Sequence, residues 1–142
     1  MEVTSNVKQI PFSQQMVYDI LSNPSRLEKK MRENIPADQK EKADAFSFTD
    51  DSIVVSAPGM GSVTLNIVER EAPKTIKFQA SVAMVKGNMW IQLLPTTDTS
   101  SKMKLTIKAD VPFFMKGMVQ KPLTEGVEKI ADMLAMLPYN TI

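Results

Sequence analysis

A chain of 142 residues has the commonest size of a single folding unit and should bury roughly 70% of the surface its unfolded form exposes. Hydrophobic residues make up 43% and charged residues 23%, and 17 Lys and Arg against 16 Asp and Glu leave a formal net charge of +1; this argues against disorder, and against nucleic acid as a partner because the basic excess that phosphate binding requires is missing. The chain has neither cysteine nor histidine, which excludes disulfides, thiolate nucleophiles, Cys- or His-based metal sites and the Ser–His and Cys–His pairs of nucleophilic catalysis.

The first segment, Glu2 to Ile10, alternates loosely with Val3, Ser5 and Val7 on one side, and Pro11 ends it, so it predicts a strand. Ser13 stands at an N-cap position before Met16, Val17, Ile20 and Leu21, which recur at helical spacing until Asn23-Pro24 stops them. Leu27, Met31 and Ile35 then lie four apart among charges and predict a second short helix from Ser25 to Asn34, closed by Pro36. Lys29, Lys30 and Arg32 alternate with Glu28 and Glu33, the pattern of a solvated helix face. Ala37 to Ala43 reads as a polar loop.

Six strands are predicted next: Ala45 to Thr49, Ser52 to Ala57, Ser62 to Arg70, Thr75 to Val82, Asn88 to Leu94 and Lys102 to Asp110. Turn chemistry at Asp50-Asp51, Pro58-Gly59-Met60-Gly61, Ala72-Pro73-Lys74 and Pro95 to Ser101 separates consecutive strands. Links this short imply antiparallel pairing, because a parallel pair needs a crossover of about a dozen residues or more. Val63, Leu65 and Ile67 share a face, as do Ile76, Phe78, Ala80 and Val82, and Met103, Leu105, Ile107 and Ala109, while Lys77, Gln79, Lys104, Thr106 and Lys108 face the other way. One face of the meander is wet and the other must be covered.

The cover is Pro112 to Leu137, where Val119, Leu123, Val127, Ile130, Leu134 and Leu137 recur at intervals of three and four opposite Gln120, Thr124, Glu125, Glu128, Lys129 and Asp132. Pro122 removes a backbone donor and is expected to kink or restart this helix, and Pro138 ends it. No apolar stretch resembles a signal peptide or reaches the roughly eighteen residues of a membrane span, so the expected location is the cytoplasm.

This order of elements, with NVKQIPFSQQMVYDILSNPSRLE near the start and DVPFFMKGMVQKPLTEGVEKIADMLAML at the end, resembles the helix-grip proteins: START domains, polyketide cyclases and the birch-pollen allergen type. The resemblance covers nearly the whole chain and lies in element order and diffuse stretches such as Ser13 to Tyr18, with no catalytic signature. It implies an α+β helix-grip fold over residues 1–142 as one domain, with a curved antiparallel sheet of about seven strands around a long C-terminal helix and two short helices after the first strand. It also implies a cavity between sheet and helix, which in such proteins holds a lipid, sterol, quinone, polyketide or hormone-like ligand; some members instead catalyse cyclisation or dehydration, and some bind a chaperone.

Eleven methionines are available to line such a cavity, their unbranched side chains adapting to irregular ligands or simply filling the core. The residues expected around it are Phe78, Met84, Met89, Trp90, Met103, Leu105, Phe113, Phe114, Met118, Gly126, Ile130 and Met133, with Phe113, Phe114 and Met118 as its mouth or as the anchor of the first helical turn. Gly117 and Gly126 interrupt a helix where glycine costs about 1 kcal/mol relative to alanine; Gly126 either admits close packing or leaves room for a ligand. Trp90 shares its strand face with Asn88 and Gln92, but Met89, Ile91 and Leu93 are apolar too, so periodicity leaves open which side is inner.

The available acid–base groups are Asp, Glu, Lys, Arg and Tyr, and the candidates among them are Tyr18, Glu69, Arg70 and Tyr139. Glu69, Arg70 and Glu71 read as a solvated turn cluster, Asp50 and Asp51 as hairpin residues, and Gly59-Met60-Gly61 lacks the spacing of a nucleotide loop. No cofactor or metal is expected. Non-catalytic binding of an apolar small molecule is therefore the leading expectation, against a cyclase- or hydratase-like enzyme using a buried carboxylate or tyrosine, or an interaction module using the outer sheet. No feature of the sequence fixes an oligomeric state.

Overall fold

The computed structural model describes residues 1–34, 46–49, 51–57, 61–82, 85–137 and 139. In chain order these form β1 (Glu2–Thr4), β2 (Lys8–Ile10), α1 (Gln14–Leu21), α2 (Pro24–Asn34), β3 (Phe46–Phe48), β4 (Ser52–Ala57), β5 (Gly61–Glu71), β6 (Thr75–Val82), β7 (Val85–Thr97), β8 (Ser100–Asp110), a 3-10 turn (Phe113–Met115) and α3 (Lys116–Ala135). The strands make one antiparallel sheet in the order β1-β8-β7-β6-β5-β4-β3, with β2 also on β8. This is the helix-grip α+β architecture.

The first strand is not continuous. Ser5 is buried; its N–H donates to the Leu105 carbonyl (2.8 Å), its hydroxyl oxygen accepts from the Leu105 N–H (3.0 Å) and its O–H donates to the Asn6 carbonyl (2.9 Å). A side chain thus replaces ladder bonds, the backbone breaks between β1 and β2, and Val7 turns out to solvent instead of joining Val3. The sheet therefore has eight strands, where about seven were expected. β7 is also longer than predicted, because Pro95 and Thr97 still pair with Ser101 and Ser100 around a register shift.

Register decides which side chains meet. Ile67, Phe78, Met89, Ile107 and Val3 stand opposite one another along one row, and Ile76, Ile91 and Leu105 along the next. These rows form the concave face and join α1, α2 and α3 in a hydrophobic cluster that includes Val17, Leu21, Leu27, Met31, Val127, Ala131 and Leu134. The Ser13 hydroxyl accepts from the Met16 N–H and caps α1, and the Asn23 side chain accepts from the Arg26 N–H at the start of α2, where Pro24 occupies the first helical position.

α3 packs on β8, β1 and β2, so it covers one side of the concave face. Lys8 holds it there, its ammonium lying 2.8 Å from Glu128 and 2.7 Å from Asp132, while the Asn6 N–H donates to the other Glu128 oxygen. Tyr139 closes the far end, donating to the Leu134 carbonyl (2.5 Å) with its ring edge-on to Phe12. The expected restart at Pro122 does not occur: α3 runs through it, and Met118, whose carbonyl loses its partner, is exposed to water that can replace the bond. The predicted helix end at Ile35-Pro36, the loop Ala37 to Ala43, Asp50, the turn Pro58 to Met60 and Pro138 lie outside the described residues.

Candidate functional site

Phe78, Met89, Met103 and Leu105 are brought together as fully buried side chains on the concave face. Facing them from α3, Ile130 and Met133 are half-buried and pack against the edge of the core, with Leu123 two turns before Ile130. Val63, Ile67, Ala80 and Ile107 on the sheet are half-buried as well, in contrast to the sealed residues between them. Burial on the concave face is therefore uneven, complete at Ile76, Phe78, Ile91, Met103 and Leu105 and partial at Val63, Ile67, Ala80 and Ile107.

Gly126 belongs to the same helical stripe, three residues after Leu123 and four before Ile130, and a side-chain carbon placed on it would meet nothing within 4 Å. Its missing side chain leaves room; close helix–sheet packing, one of the two sequence-based explanations, does not occur. Gly87 is the opposite case. A carbon there would stand 2.2 Å from the Lys108 carbonyl oxygen and 2.9 Å from the Ala109 Cα, so this point of β7 accepts only glycine.

The remaining predicted residues divide. Phe113, Phe114 and Met118 are 89%, 80% and 73% exposed, so they do not anchor the first helical turn. Trp90 lies on the opposite, wet face of the sheet, between the ammonium groups of Lys77 (5.5 Å) and Lys108 (5.9 Å) above its ring, and does not join the others. Met84 is outside the described residues.

A concavity of about 540 Å³ opens at one end of the sheet, lined by Met1, Glu2, Gln79, Lys86, Gly87, Asn88, Lys108, Ala109 and Asp110. It contains none of the predicted ligand residues. Its charges compensate across the ladder, Glu2 standing opposite Lys108 and Lys86 opposite Asp110. Gly87, the third residue of β7, precedes the strand predicted from Asn88 to Leu94, so nothing in the predicted elements pointed to this concavity.

Among the described residues no Asp or Glu is buried. Burial pushes the Tyr139 phenol far above its ordinary range, and its hydroxyl is committed to the Leu134 carbonyl. Burial also raises Tyr18, with the Asp19 carboxylate adding to the shift and Arg70 opposing it. Arg70 itself ties the sheet to α1, donating through Nε to the Ser22 carbonyl (3.0 Å) and pairing with Asp51 (2.9 Å), while Glu69 and Glu71 face solvent. No group of three acidic side chains spaced to hold a metal ion is present among the described residues.

No protein-family profile and no curated protein sequence matches the chain. Solved structures do share its fold. A truncated norcoclaurine synthase from Thalictrum flavum is 17% identical over 95% of this chain and 91% of that one, with a TM-score of 0.69. The Aha1 dimer from Colwellia psychrerythraea is 16% identical over 96% and 97%, with a TM-score of 0.53, and a START superfamily protein from Mycobacterium smegmatis is 11% identical over 94% and 98%, with a TM-score of 0.52. The chain thus has the START-like helix-grip fold, in which one architecture serves an enzyme in one neighbour and other proteins elsewhere. Among the described residues no helix is long and apolar enough to cross a membrane.

Proposed function

We propose that this chain binds an apolar small molecule, of lipid, quinone or polyketide-like character, in the space between the concave face and α3. Phe78, Met89, Met103 and Leu105 form the floor of that space, Gly126, Ile130 and Met133 its helical wall, and Phe113, Phe114 and Met118 its rim. The observation that carries the reading is Gly126: a helix keeps its least favourable non-proline residue at the margin of its apolar stripe, between Leu123 and Ile130, and a side-chain carbon placed there meets nothing within 4 Å. Apolar walls with few polar groups are what ligand pockets are made of. The catalytic alternative draws less support, since no carboxylate among the described residues is buried and Tyr139 is already engaged.

Replacing Gly126 with leucine tests this directly. A Cβ there meets nothing within 4 Å and leucine is the better helix former, so the variant should melt at or above the wild-type temperature, yet uptake of an apolar fluorophore such as Nile red should fall about tenfold or more as the larger side chain fills the proposed space. Equal uptake by a well-folded Gly126→Leu variant would remove the site from this position.

A further inference from the structure

Phe113 and Phe114, the two most exposed large hydrophobic side chains described in this molecule, are adjacent, and Met118 follows one helical turn after Phe114. They are held in water by defined backbone: the Met115 N–H donates to the Pro112 carbonyl (2.9 Å) and the Lys116 N–H to that of Phe113, so the rings project from a formed 3-10 turn into the first turn of α3. Exposed Lys116 and Lys121 flank them, and the sequence from Val111 to Thr124 contains no acidic residue. The nearest carboxylates in sequence are Asp110, across the ladder from Lys86, and Glu125, which reaches Lys121 only at 4.0 Å with both groups well exposed.

We propose that the segment Phe113 to Lys121 docks on an anionic lipid surface, the rings and Met118 entering the boundary between headgroups and acyl chains and the two lysines meeting the phosphates or carboxylates above it. Apolar side chains beside lysines, without acids between them, are the chemistry of interfacial binding. A second copy of the chain fits less well. A twofold contact centred on these rings would bring the lysines of both copies together, and the two rings offer roughly 300 Å² of apolar surface, well below the roughly 800 Å² per partner of a stable protein interface. The segment is also the rim of the proposed ligand space, but the inference does not rest on that reading: vesicle binding without ligand uptake would remove that reading and keep this one.

The test is co-sedimentation of the whole chain with vesicles of phosphatidylcholine alone and with about a quarter phosphatidylserine. The wild type should pellet with the anionic vesicles and about tenfold less with the neutral ones, and added salt should narrow the difference. The double variant Phe113→Ser with Phe114→Ser should keep the wild-type melting temperature and lose binding about tenfold or more, while Lys116→Gln with Lys121→Gln should lose the preference for phosphatidylserine. The proposal is overturned if the wild type stays in the supernatant with anionic vesicles, if the serine variant binds as well as the wild type, or if the chain is a dimer that the serine substitutions split and that ignores vesicles.

Discussion

Two glycines show how much one missing side chain decides. Gly87→Ala forces a carbon into the Lys108 carbonyl and should cost about 1–3 kcal/mol or more in urea unfolding, as overpacking does. Gly126→Ala meets nothing and should be neutral or gain up to about 1 kcal/mol from helix propensity. In sequence Gly126 stands inside a predicted helix while Gly87 falls just before the strand predicted from Asn88, and only the fold tells a closed position from an open one. Ser5 is similar: it looks like one polar residue in an alternating strand, yet it carries two bonds to Leu105, and Ser5→Ala should lower stability by about 1–3 kcal/mol by leaving buried backbone unsatisfied. Trp90 was ambiguous because β7 is apolar on both faces; Lys77 and Lys108 settle its side, and they reach it only through the register of neighbouring strands.

At the level of elements, what was legible is what local chemistry dictates. Thr75–Val82 and Ser52–Ala57 were bounded correctly by their turns, and Ser13 was recognisable as the cap of α1, where Ser13→Ala should cost about 1 kcal/mol. The break between β1 and β2 and the unbroken passage of α3 through Pro122 were not legible, since one depends on a partner strand and the other on water at an exposed carbonyl. The clamp between these elements makes a pH prediction. Lys8 and the Asn6 N–H hold the Glu128 carboxyl below its ordinary value of 4.5, and Asp132 and then Glu128 hold Lys8 above its ordinary 10.5. A depressed carboxyl contributes stability in full above its unfolded value and loses it as pH falls through the folded one; a raised lysine contributes below its unfolded value and loses it only as pH rises through the folded one. The melting-temperature advantage of the wild type over Glu128→Gln should therefore be steady across neutral pH and vanish in acid, below 4.5. An advantage that persists at the acid end would contradict the assignment.

At the scale of the whole molecule, alternation along β5, β6 and β8 and the stripe of the terminal helix led to the helix-grip architecture, because each apolar face needed the other to cover it. The site was less legible than the fold. Phe78, Met89, Met103 and Leu105 meet as expected, but whether they line a space or fill it depends on where α3 crosses the sheet, and it lies toward β1, β2 and β8. That offset leaves Val63, Ile67 and Ala80 only partly covered, and the proposed ligand space lies beside Gly126. The most direct test of that claim is native mass spectrometry of the freshly purified chain, with the mass compared before and after denaturation and any excess extracted into organic solvent. The account predicts a bound apolar species that the Gly126→Leu variant no longer carries; a bare wild-type chain that also takes up no apolar compound from solution would contradict it.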